Sequence, residues 1–166
     1  MSFRFVILGA GQIASKFADA VRRIEDAEVI GVGSRSMARG ADFAKANGIP
    51  HAGSYEEMLA LRPDAAYIAA TTEAHAALTR LCIEHGVPVL CEKAMFTNAA
   101  EAEEVFALAK AKGVFCMEAM WSRFLPTNIE MKRVLDEGVI GEVKYARGTH
   151  DSYDTGMWSY ADRTKE

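Results

Sequence analysis

Short blocks of apolar residues alternate along this chain with longer stretches whose apolar positions recur every three or four residues. Phe5-Val6-Ile7-Leu8 is such a block, the pattern of a strand buried on both faces as in a parallel sheet. Residues 12–24 follow, with Ile13, Phe17, Val21 and Ile24 at helical spacing, so a helix is predicted to lie on that sheet. The pairing then repeats. Residues 28–32 read as a second strand, and 37–47 as a helix stopped by Gly48 with Pro50 just beyond. A short third strand near His51 precedes Ser54 and Glu57, three apart in the manner of a capping box. Residues 65–70 form a fourth strand, 73–85 a helix ending at Gly86, and 87–91 a fifth strand whose Pro88 suits a strand start. Asn98 and Glu101 repeat the cap signature before a helix over 99–112 that stops at Gly113, and 114–117 make a sixth strand.

Six strands with helices between them mean an α/β fold, a doubly wound parallel sheet with right-handed crossovers. Such a sheet binds ligands at the C-terminal ends of its strands, where the strand order reverses. The pattern changes near the end. Pro126 suits the first turn of a helix reaching about Glu137, and Gly138 and Gly141 bracket a turn. Residues 142–149 then read as a half-exposed strand, the first of a second α/β domain. Residues 151–166 carry Tyr153, Trp158 and Tyr160 with no clear period and receive no assignment. The expected domains are 1–125 and 126–166, the latter a connecting helix and the start of a truncated second domain.

Composition narrows the function classes. A net charge of −4 over 166 residues leaves no electrostatic footprint for nucleic acid or an anionic membrane. No apolar run approaches the ~20 residues that span a bilayer, and the N-terminus reads without a signal peptide. Cys82, Cys91 and Cys116 are odd in number and fall within regular elements, which suggests reduced thiols packed in a cytoplasmic protein. With no clustered histidines, no metal site is expected.

The candidate chemistry starts at the first turn. Gly9, Gly11 and Ala14 occupy the three small-residue positions of the dinucleotide fingerprint, between a strand and a helix. Gly9 takes the tight turn, and Gly11 has no Cβ to keep a pyrophosphate from the backbone. The helix N-terminus at Gln12 and Ile13 would aim free N–H groups at the phosphates. An NAD-binding sheet places an acid about 20 residues beyond the glycines to hold the ribose 2′-hydroxyl. Here the nearest acids are Glu25, Asp26 and Glu28, and six residues at ~3.3 Å put Glu28 roughly 20 Å from Ser34. Ser34 and Arg35 stand at the recognition position instead, with Arg39 one turn on. Guanidinium groups fork onto phosphate, so this set suits a 2′-phosphate and NADP rather than NAD.

Strands four, five and six should bring Thr71, Thr72 and His75, then Glu92 and Lys93, then Glu118, Trp121 and Arg123 to one sheet edge. Lys93 could donate to a substrate oxygen or shuttle its proton. Glu92 could pair with it, although strand neighbours point to opposite faces. His75 has two readings, a helix residue bonded to backbone or one facing substrate. Trp121 is a substrate wall or core, and Arg123 reaches the cofactor or braces its loop.

Gly9-Ala10-Gly11, residues 71–75, Cys91-Glu92-Lys93 and especially residues 117–126 together resemble the glucose–fructose oxidoreductase, inositol dehydrogenase and rhizopine-catabolism (Gfo/Idh/MocA) family, most of all its dihydrodiol dehydrogenase branch. The resemblance runs to about Arg147. It implies an N-terminal Rossmann domain, NADP as cofactor, a sugar, polyol or cyclic diol as small-molecule substrate, and a homodimer for a full-length parent. By that resemblance Lys93 matches the catalytic lysine of a Glu-Lys-Pro motif. Arg35 and Arg39 match contacts to the 2′-phosphate, Thr71, Thr72, Glu92 and Arg123 fall in the cofactor-binding set, and His75 and Trp121 lie near substrate. Two departures stand out. Ala94 replaces the motif's proline, so a cis proline cannot set the local backbone. Family members are also about twice this length, with a C-terminal α/β domain. The 166-residue chain is therefore expected to bind NADP(H) and turn over poorly or not at all. The rival expectation is a non-catalytic NADP-binding or sensing module.

Overall fold

The computed structural model of the chain describes residues 2–148. Its sheet has six strands, β1 (Phe3–Leu8), β2 (Ala27–Gly33), β3 (His51–Gly53), β4 (Ala65–Ile68), β5 (Val89–Cys91) and β6 (Cys116–Glu118). All neighbours run parallel, in the order β3-β2-β1-β4-β5-β6. The helices between them are α1 (Gln12–Val21), α2 (Met37–Asn47), α3 (Tyr55–Ala60), α4 (Thr72–Glu84) and α5 (Ala99–Lys112). A doubly wound sheet was the expectation, and this is one.

The apolar blocks explain the layers. Val6, Ile7 and Leu8 have no solvent exposure because alternate side chains enter two different cores. Val6, Leu8, Ala66, Ile68 and Val89 pack with Met58 and Leu59 of α3 and Leu78 and Cys82 of α4. Ile7, Val32 and Tyr67 pack on the other face with Ala14 and Ala18 of α1 and Phe43 of α2. An aromatic chain runs through this second core: Phe3 meets Phe5, Phe5 meets Phe17 edge-on, and Phe17 stacks on Tyr67 with centroids 3.8 Å apart.

Helix ends follow their capping residues. Ser36 and Asn98 each accept the N–H three residues on, and Ser54 and Glu57 form the complete reciprocal capping box. Glu101 departs from the box, since its carboxylate takes the Thr97 N–H and hydroxyl. Gly48 and Gly113 close α2 and α5 in the left-handed conformation.

Several expected boundaries contract. Helix α1 ends at Val21, three residues short of Ile24, and β5 excludes Val87 and Pro88. The strand expected over 142–149 is corrected: residues 142–148 have no strand, and Thr149 lies outside the described residues. Residues 142–148 are all exposed and pair with no strand among the described residues, and strand-like patterning cannot supply such a partner. Residues 151–166, with their three aromatics, also lie outside the described residues.

The chain divides into two compact units between Trp121 and Ser122. The second contains α6 (Pro126–Asp136), with its proline in the first turn as expected. Ion pairs within that helix join Lys132 to Asp136, and Arg133 to both Glu130 and Glu137. Among the described residues no helix is long and apolar enough to cross a membrane.

Candidate cofactor and catalytic site

Register brings the strand ends into one row. Gly33 pairs with Leu8, Leu8 with Ile68, Ile68 with Cys91, and Cys91 with Glu118. Whatever follows each strand therefore emerges along one edge, at a spacing of about 4.8 Å per strand. The chain order reverses between β1 and β4, where such sheets open a crevice. Ser34 and Arg35 leave β2, Gly9 to Ile13 leave β1, Thr71 and Thr72 follow β4, Glu92 and Lys93 follow β5, and Trp121 follows β6.

The two glycines of the first turn do different work. Gly9 has φ of +119°, and a Cβ there would sit 2.5 Å from the Ala69 carbonyl oxygen. The protein's own backbone demands that glycine. At Gly11 the nearest atom to an added Cβ is the same oxygen at 3.9 Å, ordinary contact. Packing leaves room for a side chain there, so what Gly11 preserves is approach from outside. Gly11 is also the N-cap of α1, with no side-chain cap and no acid in the first turn. Its leading N–H groups have no side-chain acceptor, unlike those of α2, α3 and α5.

Ser34 is buried, and its hydroxyl accepts the Ser36 N–H at 3.3 Å. Arg35 and Arg39 are exposed, and their guanidinium groups have no hydrogen bond or ion pair among the described residues.

The β4–β6 side is tied together. Tyr67, 3% exposed, donates its hydroxyl to Glu92 Oε1 at 2.6 Å. Burial first, then the Glu92 carboxylate, hold the phenol proton on far above the ordinary tyrosine range. Glu92 Oε2 accepts the Lys93 backbone N–H at 3.1 Å. His75 is 1% exposed, with Nδ1 3.0 Å from the Ala94 carbonyl and Nε2 3.1 Å from that of Ala70. Of its two readings, the structure has the backbone-bonded one. Glu118 Oε1 accepts the Met95 N–H at 2.9 Å. The Lys93–Ala94 peptide is cis although no proline follows the lysine. Lys93 itself is exposed.

Trp121 is 63% exposed rather than core, and Arg123 belongs to the second unit. Burial pushes the thiols of Cys82 and Cys91 up to about 12 and that of Cys116 to about 11. They stay protonated and pack, as expected. Among the described residues no three His, Cys, Asp or Glu side chains gather to hold a metal ion.

Residues 3–120 match a family model, GFO_IDH_MocA, described as "Oxidoreductase family, NAD-binding Rossmann fold". The chain belongs to the Gfo/Idh/MocA oxidoreductase family. Among curated relatives, the trans-1,2-dihydrobenzene-1,2-diol dehydrogenase of Bos taurus is 42% identical over 152 residues, covering 89% of this chain and 45% of the relative. The Mus musculus enzyme of the same name is 43% identical over the same length and shares. The chain thus spans less than half the length of these relatives. Among solved structures, KijD10, a 3-ketoreductase from Actinomadura kijaniata in complex with TDP-benzene and NADP, superposes with a TM-score of 0.76 at 29% identity, over 86% of this chain and 46% of that one. An NAD binding oxidoreductase from Klebsiella pneumoniae, 23% identical with a TM-score of 0.79, covers 86% and 40% and shares the fold.

Within the Gfo/Idh/MocA frame, one residue escaped sequence reasoning. Tyr67 sits in a strand otherwise built of alanine and isoleucine. A buried tyrosine needs a partner for its hydroxyl, and that was the available signal.

Proposed function

We propose that residues 1–125 are the cofactor domain of an NADP-dependent oxidoreductase, with 126–166 leading into a substrate and dimerisation domain. Hydride would move between nicotinamide and a carbonyl or secondary alcohol of a sugar, polyol or cyclic diol. The observation that carries this reading is Gly11: an N-cap that packing does not require to be glycine, beside an uncapped helix N-terminus at the reversal of strand order. A pyrophosphate fits there because backbone N–H groups can meet its oxygens with no side chain intervening.

Each group then has a task. Gln12 and Ile13 supply first-turn N–H donors, and Thr71 and Thr72 line the opposite side of the reversal point. Arg35 and Arg39 would fork onto a 2′-phosphate, which favours NADP, because their charges have no internal partner among the described residues. Three strand spacings separate the β2 and β5 ends, roughly 14 Å, so a dinucleotide held at Arg35 would have to span that row for Lys93 to act on its nicotinamide end. When bound, its nicotinamide supplies or takes up the hydride. Lys93 then donates a hydrogen bond to the reacting oxygen and holds or passes its proton. His75 keeps the adjoining peptide groups in place, and exposed Trp121 offers a flat wall to substrate. The buried Cys82 and Cys91 and the half-buried Cys116, all free thiols, suit a reducing, cytoplasmic setting.

Fluorescence titration of the chain with NADPH and NADH tests the reading. NADPH binding at least tenfold tighter than NADH is expected, a difference of about 1.4 kcal/mol. Equal affinity removes the NADP preference, and no binding of either removes the cofactor-domain reading.

A further inference from the structure

We infer that Tyr67 is a positioning residue for Lys93, acting through the carboxylate of Glu92. The inference deepens the reading of Lys93 given above and rests on it for its functional meaning. Phenylalanine would stack on Phe17 equally well, so packing does not account for the hydroxyl. In a side chain 3% exposed that hydroxyl needs a partner, and Glu92 Oε1 at 2.6 Å is the one it has. Glu92 is half-buried and spends its second oxygen on the Lys93 N–H. One carboxylate thereby joins the rigid centre of the sheet to Lys93, the second residue beyond β5. The next two residues are held likewise, Ala94 O against His75 Nδ1 and Met95 N–H on Glu118 Oε1. The path from Tyr67 is the one anchored in a stacked aromatic core. Without the hydroxyl, Glu92 is free to turn toward water and release the Lys93 backbone.

The test uses the whole 166-residue chain as Tyr67→Phe, Glu92→Gln and the double variant. Amide hydrogen exchange over residues 92–96 and the rate of amine labelling at Lys93 are read by mass spectrometry. Tyr67→Phe should raise both about tenfold, the scale of a hydrogen bond to a charged group, while amides of α1 and α5 keep wild-type rates. Glu92→Gln retains an acceptor for the tyrosine but presents an amide toward the Lys93 N–H, so it should produce the same local loosening. The double variant should match Glu92→Gln alone, because both changes break one path. Wild-type exchange and labelling in Tyr67→Phe, or effects that add, would overturn the inference. NADPH titration of the wild type separates the two ideas. Loosening at Lys93 in a chain that binds no NADPH leaves the positioning role standing and sinks the cofactor reading. Normal NADPH binding with an unmoved Lys93 does the reverse.

Discussion

On the β1–β2 side the row of strand ends offers bare backbone and guanidinium groups with no partner among the described residues, whereas on the β4–β6 side one polar group after another is already held. Gly11, the uncapped start of α1, Arg35 and Arg39 look outward. Tyr67, His75, Glu92 and Glu118 look inward, and between them fix the backbone of Lys93, Ala94 and Met95. The first side leaves hydrogen-bonding capacity unused. The second presents one exposed lysine by using such capacity up. That division suits a site that must grip a charged cofactor at one end and hold a reacting group to within a fraction of an ångström at the other.

Substitutions can break each side in its own way. The largest effect belongs to Gly9→Ala, whose Cβ would meet backbone at 2.5 Å with φ at +119°. A loss of about 3 kcal/mol or more is expected in urea unfolding, or no folded protein at all. His75→Ala removes a buried ring whose nitrogens face the Ala94 and Ala70 carbonyls. It should lower stability by about 2–4 kcal/mol in the same measurement. Gly11→Ala sharpens the contrast, because the protein has room for that methyl. Unfolding should shift by less than about 1 kcal/mol, yet NADPH affinity should fall at least tenfold in a fluorescence titration. The double variant Arg35→Ala and Arg39→Ala should leave the melting temperature alone. It should bring NADPH affinity down about tenfold, to that of NADH.

The smallest effect at neutral pH grows as pH rises. Cys91 and Cys116 lie in β5 and β6 and Cys82 in α4, and their folded thiols ionise at about 11 to 12 against an ordinary value near 9. The unfolded chain therefore loses thiol protons first, and stability falls as pH rises above about 9. Hydrogen exchange at pH 10 should open residues 89–118 before residues 3–33. Uniform opening would remove this part of the contrast.

Much of the fold was legible because its signals are local. The apolar block at 5–8, the Ser54 and Glu57 box and the stops at Gly48 and Gly113 act through neighbours within one turn or one strand. The turn at Gly9 and Gly11 and the placing of Arg35 and Arg39 just after β2 were legible for the same reason, since they need only a strand end and a helix start. Residues 142–148 show where this fails, because a strand requires a partner that alternation does not provide.

By itself, then, the amino-acid sequence determined the six-strand doubly wound order, the glycine turn and the cations beside it, all matters of short-range sterics and hydrophobic period. Only the tertiary structure decided that Gly9 answers to the Ala69 carbonyl while a Cβ at Gly11 would meet only ordinary contact among the described residues. It alone decided that His75 turns inward and that Tyr67 reaches Glu92 across 25 residues of chain. Those contacts join atoms remote in sequence, and they exist only once parallel register has set the strand ends side by side.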